Sequence, residues 1–226
     1  MNTDRDNHLW LQLWRDRQID FHQEKVNKYL TTFWPTLDLT QGSRVFVPLC
    51  GKSLDMTWLA KQGYEVVGVE LSPVAVKAFF HENRLKPVKR RVGKFTVWEH
   101  GRIRILCGDY FSLNKNDLGH IDTVYDRAAL TALPEDLRKR YVVQLQLIIP
   151  DTSDIFLLTV EDSENSQAAE QGPYVDAEVR SLYAADFEIN LAHVDCVNES
   201  DPHYPDQPPI RTEYKVYQLS SKTARK

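Results

Sequence analysis

One stretch, Arg44 to Glu70, most constrains how this chain folds, because it predicts a complete β-α-β unit. Residues 45 to 47 form an apolar run typical of a strand buried on both faces. Pro48 ends the run, since proline cannot donate to a sheet ladder. Apolar residues then recur at helical spacing from Leu54 to Leu59, and a second strand pattern ends at Glu70. Such a unit makes its two strands parallel, with a right-handed crossover.

The turn after the first strand and the end of the second strand predict a ligand site. In parallel sheets, ligands bind beyond the carboxyl ends of the strands. Gly51 supplies a permissive turn, and Glu70 follows it by 19 residues. A nucleotide-binding fold places its acceptor for ribose hydroxyls about 20 residues after the glycine turn. The single glycine does not complete the dinucleotide fingerprint, and Phe46 stands where a P-loop requires glycine. We therefore predict a ribose-binding carboxylate without a pyrophosphate site.

The rest of the chain alternates between strand and helix patterns as far as residue 183, which indicates a doubly wound α/β fold. The tail predicts two antiparallel strands, residues 187–194 and 214–219, joined by a proline-rich loop. Further strands and helices are predicted between these landmarks at residues 95–98, 103–106, 121–125, 135–147 and 155–160, and a helix from Val175.

The N-terminal segment carries an apolar stripe outside the predicted sheet. Residues 4–17 predict an amphipathic helix on which Trp10 and Trp14 share one face, and a second helical stretch covers 26–33. Two interpretations stay open for the tryptophans: plain packing against the domain, or a lid whose indoles wall off a ligand. We expect one domain over residues 1–226, with a helical lid at 1–40 and a core at 41–226.

Two more strand ends carry polar residues. Asp109 and Tyr110 follow the strand at 103–106, where they fit either an adenine contact or an Asx turn with a packed tyrosine. Asp126 and Arg127 follow the strand at 121–125, and they fit either a structural salt bridge or a guanidinium presented to a carboxylate. Arg138 lies in the first turn of the next predicted helix, near the same rim.

Composition excludes several classes of protein. The chain has 226 residues, a net charge of −4 and a pI of about 6.0, so it lacks the basic footprint of a nucleic-acid-binding protein. Its three cysteines are far apart and form no CxxC pair, which argues against a disulfide framework or a metal site. It has neither a long apolar run nor a signal-peptide pattern. We expect a cytoplasmic protein that binds no metal and no membrane.

Several collinear segments resemble the thiopurine S-methyltransferase family, whose members depend on S-adenosyl-L-methionine. The resemblance rests on VFVPLCGKSLDMTWLA with GVE, on GDYF, on DRAALTALP, and on the tryptophan pair, FHQE, GPY and EVRSLY, so it spans nearly the whole chain. It implies a class I methyltransferase, Rossmann-like sheet of seven mostly parallel strands with the last strand antiparallel.

The resemblance also implies roles for matching residues. On the cofactor side, Trp10 and Trp14 would cover the cofactor, and Leu49 and Gly51 would line its methionine end. The remaining implied contacts are Glu70 with the ribose, Asp109 and Tyr110 with the adenine, Arg127 with the cofactor after the fourth strand, and Arg138 near the methyl acceptor, with Arg211 as a second match.

The implied activity is transfer of a methyl group to a small-molecule thiol, selenol or related chalcogen compound by a monomer, in a detoxification role. Gly172-Pro173-Tyr174-Val175 replaces the family's Gly-Pro-Pro-Phe, and an acidic loop spans Glu161 to Glu170, so the acceptor preference stays open. Candidate bases for a protonated thiol are Asp20, His22 and Asp126. The alternatives are a non-catalytic nucleotide-binding module and a methyltransferase for a macromolecular acceptor.

Overall fold

The computed structural model describes residues 3–19, 22–162, 174–199 and 209–223. The chain divides into two compact units. The first unit comprises Met1–Tyr125 and Gln144–Pro150, and the second comprises Asp126–Val143 and Asp151–Lys226. The expected division into a lid at 1–40 and a core at 41–226 stays a prediction.

Helices and strands alternate along most of the chain. The helices of the described residues are α1 (Thr3–Asp16), α2 (Lys28–Phe33), α3 (Asp55–Lys61), α4 (Pro73–Glu82), α5 (Lys115–Leu118), α6 (Ala129–Ala132), α7 (Glu135–Ile148) and α8 (Tyr174–Tyr183). The strands are β1 (Arg44–Val47), β2 (Glu65–Glu70), β3 (Val88–Val92), β4 (Phe95–His100), β5 (Ile103–Cys107), β6 (Thr123–Arg127), β7 (Asp154–Asp162), β8 (Phe187–Glu199) and β9 (Ile210–Ser221). Two 3₁₀ turns cover Trp34–Leu37 and Tyr110–Ser112.

The first unit is built on a mixed sheet with the order β3-β4-β5-β2-β1-β6. Strands β5, β2, β1 and β6 are parallel, and the β1–β2 pair confirms the predicted β-α-β unit. Their apolar side chains, among them Val45, Phe46 and Val66, are fully buried. Ser72 caps α4, because its hydroxyl accepts a hydrogen bond from the backbone N–H of Ala75 at 3.4 Å. The β-α-β unit therefore ends at Glu70, as the sequence predicts, and α4 follows directly.

The second unit contains the end of β6 and then β7, β9 and β8 in that order. The last strand, β9, runs antiparallel to β7 and to β8, which confirms the predicted direction. Both tail strands are longer than predicted. The register of β8 and β9 continues through polar pairs such as Asn198↔Arg211, because backbone pairing does not require apolar alternation.

The predicted count of seven strands was too low, since the described residues contain nine. The additional strands are β3 and β4, which form an antiparallel hairpin next to β5. The sequence of β3, VKRRV, has no apolar alternation, and all of its residues are exposed. Periodicity therefore predicted a strand at 95–98, which is part of β4, but none at β3. Cross-strand contacts hold β3 instead: Arg90 pairs with Glu99 at 3.0 Å, and the Lys89 ammonium lies 3.7 Å from the ring centre of Trp98.

Helix length and composition also bear on membrane insertion. None of the helices in the described ranges is long and apolar enough to cross a bilayer.

Candidate functional site

The carboxyl ends of β1, β2 and β5 meet at one edge of the first unit. Glu70, the last residue of β2, is in register with Cys107, the last residue of β5. The backbone N–H of Gly108 donates to the Glu70 carbonyl at 2.9 Å, and that of Cys50 donates to the Val69 carbonyl at 2.9 Å. These bonds bring the turn after β1 and the turn after β5 to either side of Glu70. The predicted Gly51, Glu70 and Asp109 therefore lie on neighbouring strand ends.

Glu70 presents an oriented carboxylate at this edge. One oxygen accepts from the backbone N–H of Gly51 at 2.9 Å, and the other accepts from the N–H of Ser72 at 2.6 Å. The residue is 6 % exposed. Burial raises the pKa of its carboxyl to about 7, although the backbone N–H groups of Ser72 and Gly51 oppose that rise. Each oxygen keeps acceptor capacity beyond one backbone bond, which fits a ligand with a pair of hydroxyls.

The turn between β1 and α3 has an unusual backbone. Gly51 adopts φ +53°, and the non-glycine Leu49 also has a positive φ, at +46°. A side chain forced into this region costs about 1–2 kcal/mol, and such residues occur at ligand sites more often than elsewhere. A Cβ on Gly51 would lie 3.2 Å from Cζ2 of the Trp14 ring. A side chain at position 51 would therefore meet both an unfavourable φ and a tight contact with the indole.

Helix α1 supplies the two tryptophans, as predicted. Trp14 is 5 % exposed and its ring covers Gly51, whereas Trp10 is half-buried one turn earlier. The last turn of α1 and α4 border a cleft of about 530 Å³ that Trp14, Lys52, Val74 and His81 help to line. Close packing of Trp14 is established. The lid function and the cofactor contacts of Trp10 and Trp14 stay predictions.

Asp109 and Tyr110 follow β5 and form an Asx turn with a packed tyrosine, which is one of the two interpretations of the sequence. The Asp109 carboxylate accepts from the N–H of Phe111 at 3.0 Å, which is an Asx turn at the start of a 3₁₀ turn. Tyr110 is buried, and its ring meets Phe111 edge-on at 5.3 Å between centres. The adenine contacts implied for these two residues stay predictions.

In the second unit, Asp126 and Arg127 are the last residues of β6, two positions beyond the predicted strand end. Asp126 is fully buried, and its carboxylate accepts from the Tyr141 hydroxyl at 2.6 Å and from the N–H of Ala129 at 3.0 Å. Burial raises the pKa of this carboxyl to about 6. These bonds give Asp126 a structural role in the turn after β6, and its role as a base stays a prediction. Arg127 is half-buried, and its cofactor contact stays a prediction.

Arg138 lies in the first turns of α7. Its Nε donates to the Leu133 carbonyl at 2.9 Å, and its Nη1 donates to a Glu178 carboxylate oxygen at 2.7 Å. Its Nη2 is 3.4 Å from the Thr131 carbonyl. The guanidinium is thus drawn back over the residues that link the carboxyl end of β6 to α7. Its role toward a methyl acceptor stays a prediction.

The contacts given for the other predicted residues do not bear on their implied roles. His22 is half-buried, and its backbone N–H donates to the Ile19 carbonyl at 2.8 Å. Arg211 is exposed on β9, where its Nη2 lies 3.5 Å from the Cys196 sulfur. Asp20 and most of the acceptor-side departures, residues 163–173, lie outside the described residues.

Two thiols lie near Glu70 but are poor nucleophiles. Burial, and secondly the charge of Glu70, raises the pKa of the Cys50 thiol well above its ordinary value. The same two causes raise the pKa of Cys107 to about 11. Because the thiolate is the reactive form, we expect neither cysteine to form a covalent intermediate.

Asp55, which lies close to the Gly51 turn in the chain, is a buried contact that no pattern in the sequence indicates. Asp55 begins α3 and reads as a solvated first-turn acid, but it is buried. Its carboxylate accepts from the N–H of Asn27 at 2.8 Å and from the Tyr125 hydroxyl at 2.9 Å. Asp55 thereby ties the segment before α2 to the start of α3, directly after the Gly51 turn. Only partners 28 and 70 residues away reveal this role.

Comparison with known proteins agrees with this arrangement. The family model of thiopurine S-methyltransferase matches residues 5–222. A thiopurine S-methyltransferase of Stutzerimonas stutzeri is 60% identical over 220 residues, which are 97% of this chain and 93% of that protein. One of Nitrosospira multiformis is 42% identical over 216 residues, covering 95% and 98% of the two chains.

A solved structure supports the fold alone. A SAM-dependent methyltransferase from Anabaena variabilis superposes with a TM-score of 0.66 at 13% identity, covering 96% of this chain and 95% of that one. Its likeness agrees with the α/β sheet described above. Given the match over residues 5–222 and the 60% identical relative, this chain belongs to the thiopurine S-methyltransferase family.

Proposed function

We propose that this protein transfers the methyl group of S-adenosyl-L-methionine to the sulfur or selenium of a small-molecule thiol or selenol. Family membership supports the reaction class. The observation that carries the cofactor assignment is the Glu70 carboxylate, oriented by Gly51 and Ser72 at the end of β2. When bound, S-adenosylmethionine supplies a methyl group activated by its sulfonium.

The chain's own residues would hold the cofactor from several sides. Glu70 would accept hydrogen bonds from the two ribose hydroxyls, and Asp109 and Tyr110, which follow the neighbouring strand, would flank the adenine. Leu49 and Gly51 would line the methionine end, and the Trp14 ring lies close to Gly51. Trp10 and Arg127 complete the proposed set of cofactor contacts.

The protein's contribution to the chemistry would be mainly positioning. A thiolate or selenolate is a soft nucleophile that needs little acid-base assistance, and alignment can supply effective molarities of roughly 10⁵ M or more. Arg138 would favour the acceptor anion electrostatically, which lowers the pKa of a bound thiol. No enzyme nucleophile is required, in keeping with the raised pKa values of the Cys50 and Cys107 thiols.

Calorimetric titration with S-adenosylmethionine, followed by methyl-transfer assays on 6-mercaptopurine and on a selenol, tests the proposal. Binding with transfer to either acceptor supports it. Binding without transfer to any thiol or selenol would favour the non-catalytic module, and transfer only to protein or nucleic acid would favour a macromolecular acceptor. A folded protein that does not bind the cofactor would overturn the assignment of the Glu70 edge.

Three finer statements belong to the same proposal. We propose a monomer, located in the cytoplasm, with a detoxification role. The net charge of −4 gives no electrostatic attraction for nucleic acid, which supports a small-molecule acceptor. Light scattering on the protein as it elutes from a size-exclusion column tests the monomer. A mass twice that of one chain would contradict it.

A further inference from the structure

Glu178 on α8 has no role in the scheme above, yet it contacts the arginine proposed to serve the methyl acceptor. We infer that Glu178 is a positioning residue, which fixes the Arg138 guanidinium in the orientation that the acceptor requires. The inference rests on the proposed function, because it needs Arg138 to act on the acceptor.

The guanidinium is held at three separate points. Glu178 binds Nη1 at 2.7 Å, and the Leu133 carbonyl binds Nε at 2.9 Å. The Thr131 carbonyl lies 3.4 Å from Nη2. Each of the three nitrogens therefore has an acceptor. The two carbonyl groups bind the Nε and Nη2 atoms of the guanidinium. Glu178, which binds Nη1, supplies the only charge among the three contacts.

Glu178 is itself carried on an anchored helix. The neighbouring Val179 and, one turn later, Tyr183 are fully buried in the second unit. The Tyr183 ring packs edge-on against Phe187 at 6.0 Å between centres. Because α8 is fixed by these side chains, the Glu178 carboxylate has a defined position from which to hold Arg138.

This ion pair differs from the exposed pairs of the protein. The side chains of Arg138 and Glu178 are 22% and 24% exposed, whereas those of Arg102 and Glu65 are 50% and 40% exposed at a similar distance of 2.6 Å. Exposed pairs contribute little to stability, since water solvates both partners well. Arg138, by contrast, is bound by the half-buried Glu178 carboxylate and by two carbonyl groups. Its guanidinium is therefore more restricted than that of Arg102 in the exposed pair.

The arrangement leaves part of the guanidinium available. Arginine has five N–H donors, and three contacts are made by Arg138 within the described part of the chain. Two N–H groups therefore remain for a ligand, on a side chain that is partly open to solvent. A fixed fork with spare donors suits an anionic sulfur or selenium acceptor better than a freely rotating cation does.

Glu178→Ala and Glu178→Gln test the inference on the full chain, with Glu65→Ala as the matched control that breaks a Glu–Arg pair of similar length. For each variant, kcat/KM for 6-mercaptopurine and the calorimetric Kd for S-adenosylmethionine are measured. We expect Glu178→Ala to lower kcat/KM roughly tenfold or more, because a charged hydrogen bond is lost. Glu178→Gln, which keeps a neutral acceptor, should recover part of that loss. The cofactor Kd and the control should be unchanged.

A double-mutant cycle and a spectroscopic measurement separate positioning from mere folding. If Glu178 acts through Arg138, adding Glu178→Ala to Arg138→Ala should cost no further activity. In the wild type, NMR of the Arg138 Nε–H should show slow solvent exchange that becomes faster in Glu178→Ala. Unchanged acceptor kinetics in an active Glu178→Ala variant, or additive losses, would overturn the inference and leave the proposed function intact. A wild type that binds S-adenosylmethionine but methylates no thiol or selenol would overturn both.

Discussion

At the scale of single residues, Glu70 has a structural role, and in the proposed function it also binds the ligand. Its two oxygens hold the backbone N–H groups of Gly51 and Ser72, so it shapes both turns that border the site. Burial makes its ionised form costly, as the raised pKa of about 7 records. A ligand hydroxyl pair would compensate that cost, because hydrogen bonds to the charged form favour ionisation.

Replacing Glu70 with alanine should weaken cofactor binding. Loss of hydrogen bonds to a charged acceptor costs about 2–3 kcal/mol, which is roughly a 30- to 150-fold rise in Kd. Calorimetry with S-adenosylmethionine measures this rise. Glu65→Ala, at the opposite end of β2, is the control and should bind normally. An unchanged Kd in Glu70→Ala would remove the ribose assignment.

The pKa of Glu70 predicts a pH dependence of binding. Below its value of about 7, the free protein carries a protonated Glu70 that has lost part of its acceptor capacity. Affinity for S-adenosylmethionine should therefore fall as the pH is lowered through that value, by at most roughly tenfold per pH unit. Titrations of Glu70→Gln over the same range should be flatter. Parallel curves for the two proteins would contradict the prediction.

Two glycines with the same backbone separate conformational strain from contact with Trp14. Gly51 and Gly93 have φ +53° and +54°, but only Gly51 has a neighbour, the Trp14 ring, where a Cβ would lie. Alanine should destabilise the protein by about 1–2 kcal/mol at either position, because of the left-handed backbone. Only Gly51→Ala should also weaken cofactor binding and shift tryptophan fluorescence. Denaturant unfolding and titration measure both effects, and equal Kd values for the two variants would refute the close approach.

At the scale of elements, Asp55 connects three parts of the first unit. Its carboxylate joins the segment that begins α2, the first turn of α3 and the Tyr125 side chain of β6. The connection lies directly after the Gly51 turn. The position of the turn therefore depends on a buried carboxylate as well as on the strand that leads into it.

Asp55→Ala and Tyr125→Phe should destabilise the protein to different extents. Asp55→Ala removes the acceptor of two buried groups, the Asn27 N–H and the Tyr125 hydroxyl, and each buried group without a partner costs about 1–3 kcal/mol. Tyr125→Phe removes the hydrogen bond to Asp55 and keeps the Asn27 bond, so its cost should be about 1 kcal/mol. Urea unfolding compares the two. A larger loss for Tyr125→Phe would show that the Asn27 bond contributes nothing.

At the scale of the whole molecule, two buried carboxyls should shape the pH dependence of stability. The pKa values of Glu70 and Asp126 rise from 4.5 to about 7 and from 3.8 to about 6. Between the ordinary and the raised values, the folded protein binds more protons than the unfolded chain does. Their contribution to the free energy of unfolding therefore decreases as the pH rises through these windows.

Glu70→Gln with Asp126→Asn should remove that part of the dependence. Without cofactor, the difference in unfolding free energy between the wild type and the double variant should grow in favour of the variant as the pH rises from about 4 to about 7. Saturating S-adenosylmethionine should reduce this trend, since binding favours ionised Glu70 and stabilises the folded state. Urea unfolding at several pH values measures both, and a constant difference would contradict the raised pKa values.

Much of this molecule follows from local sequence. The β-α-β unit, the Ser72 cap and the placement of Gly51 and Glu70 at strand ends depend on apolar runs, turn residues and short spacings. Parallel pairing then leaves little freedom, because a right-handed crossover brings the two carboxyl ends to the same edge. The edge that carries Gly51 and Glu70 was therefore predictable from residues that lie within one continuous segment.

Only tertiary structure decided the contacts between distant segments. Exposed β3 exists because β4 offers it a partner, and Trp14 covers Gly51 from 37 positions earlier in the chain. Glu178 meets Arg138 across 40 residues. The sequence does not show whether a charged side chain is solvated by water or paired with another side chain. Its partner is fixed only when packing removes the water, so the sequence by itself determined the edge and the fold determined what surrounds it.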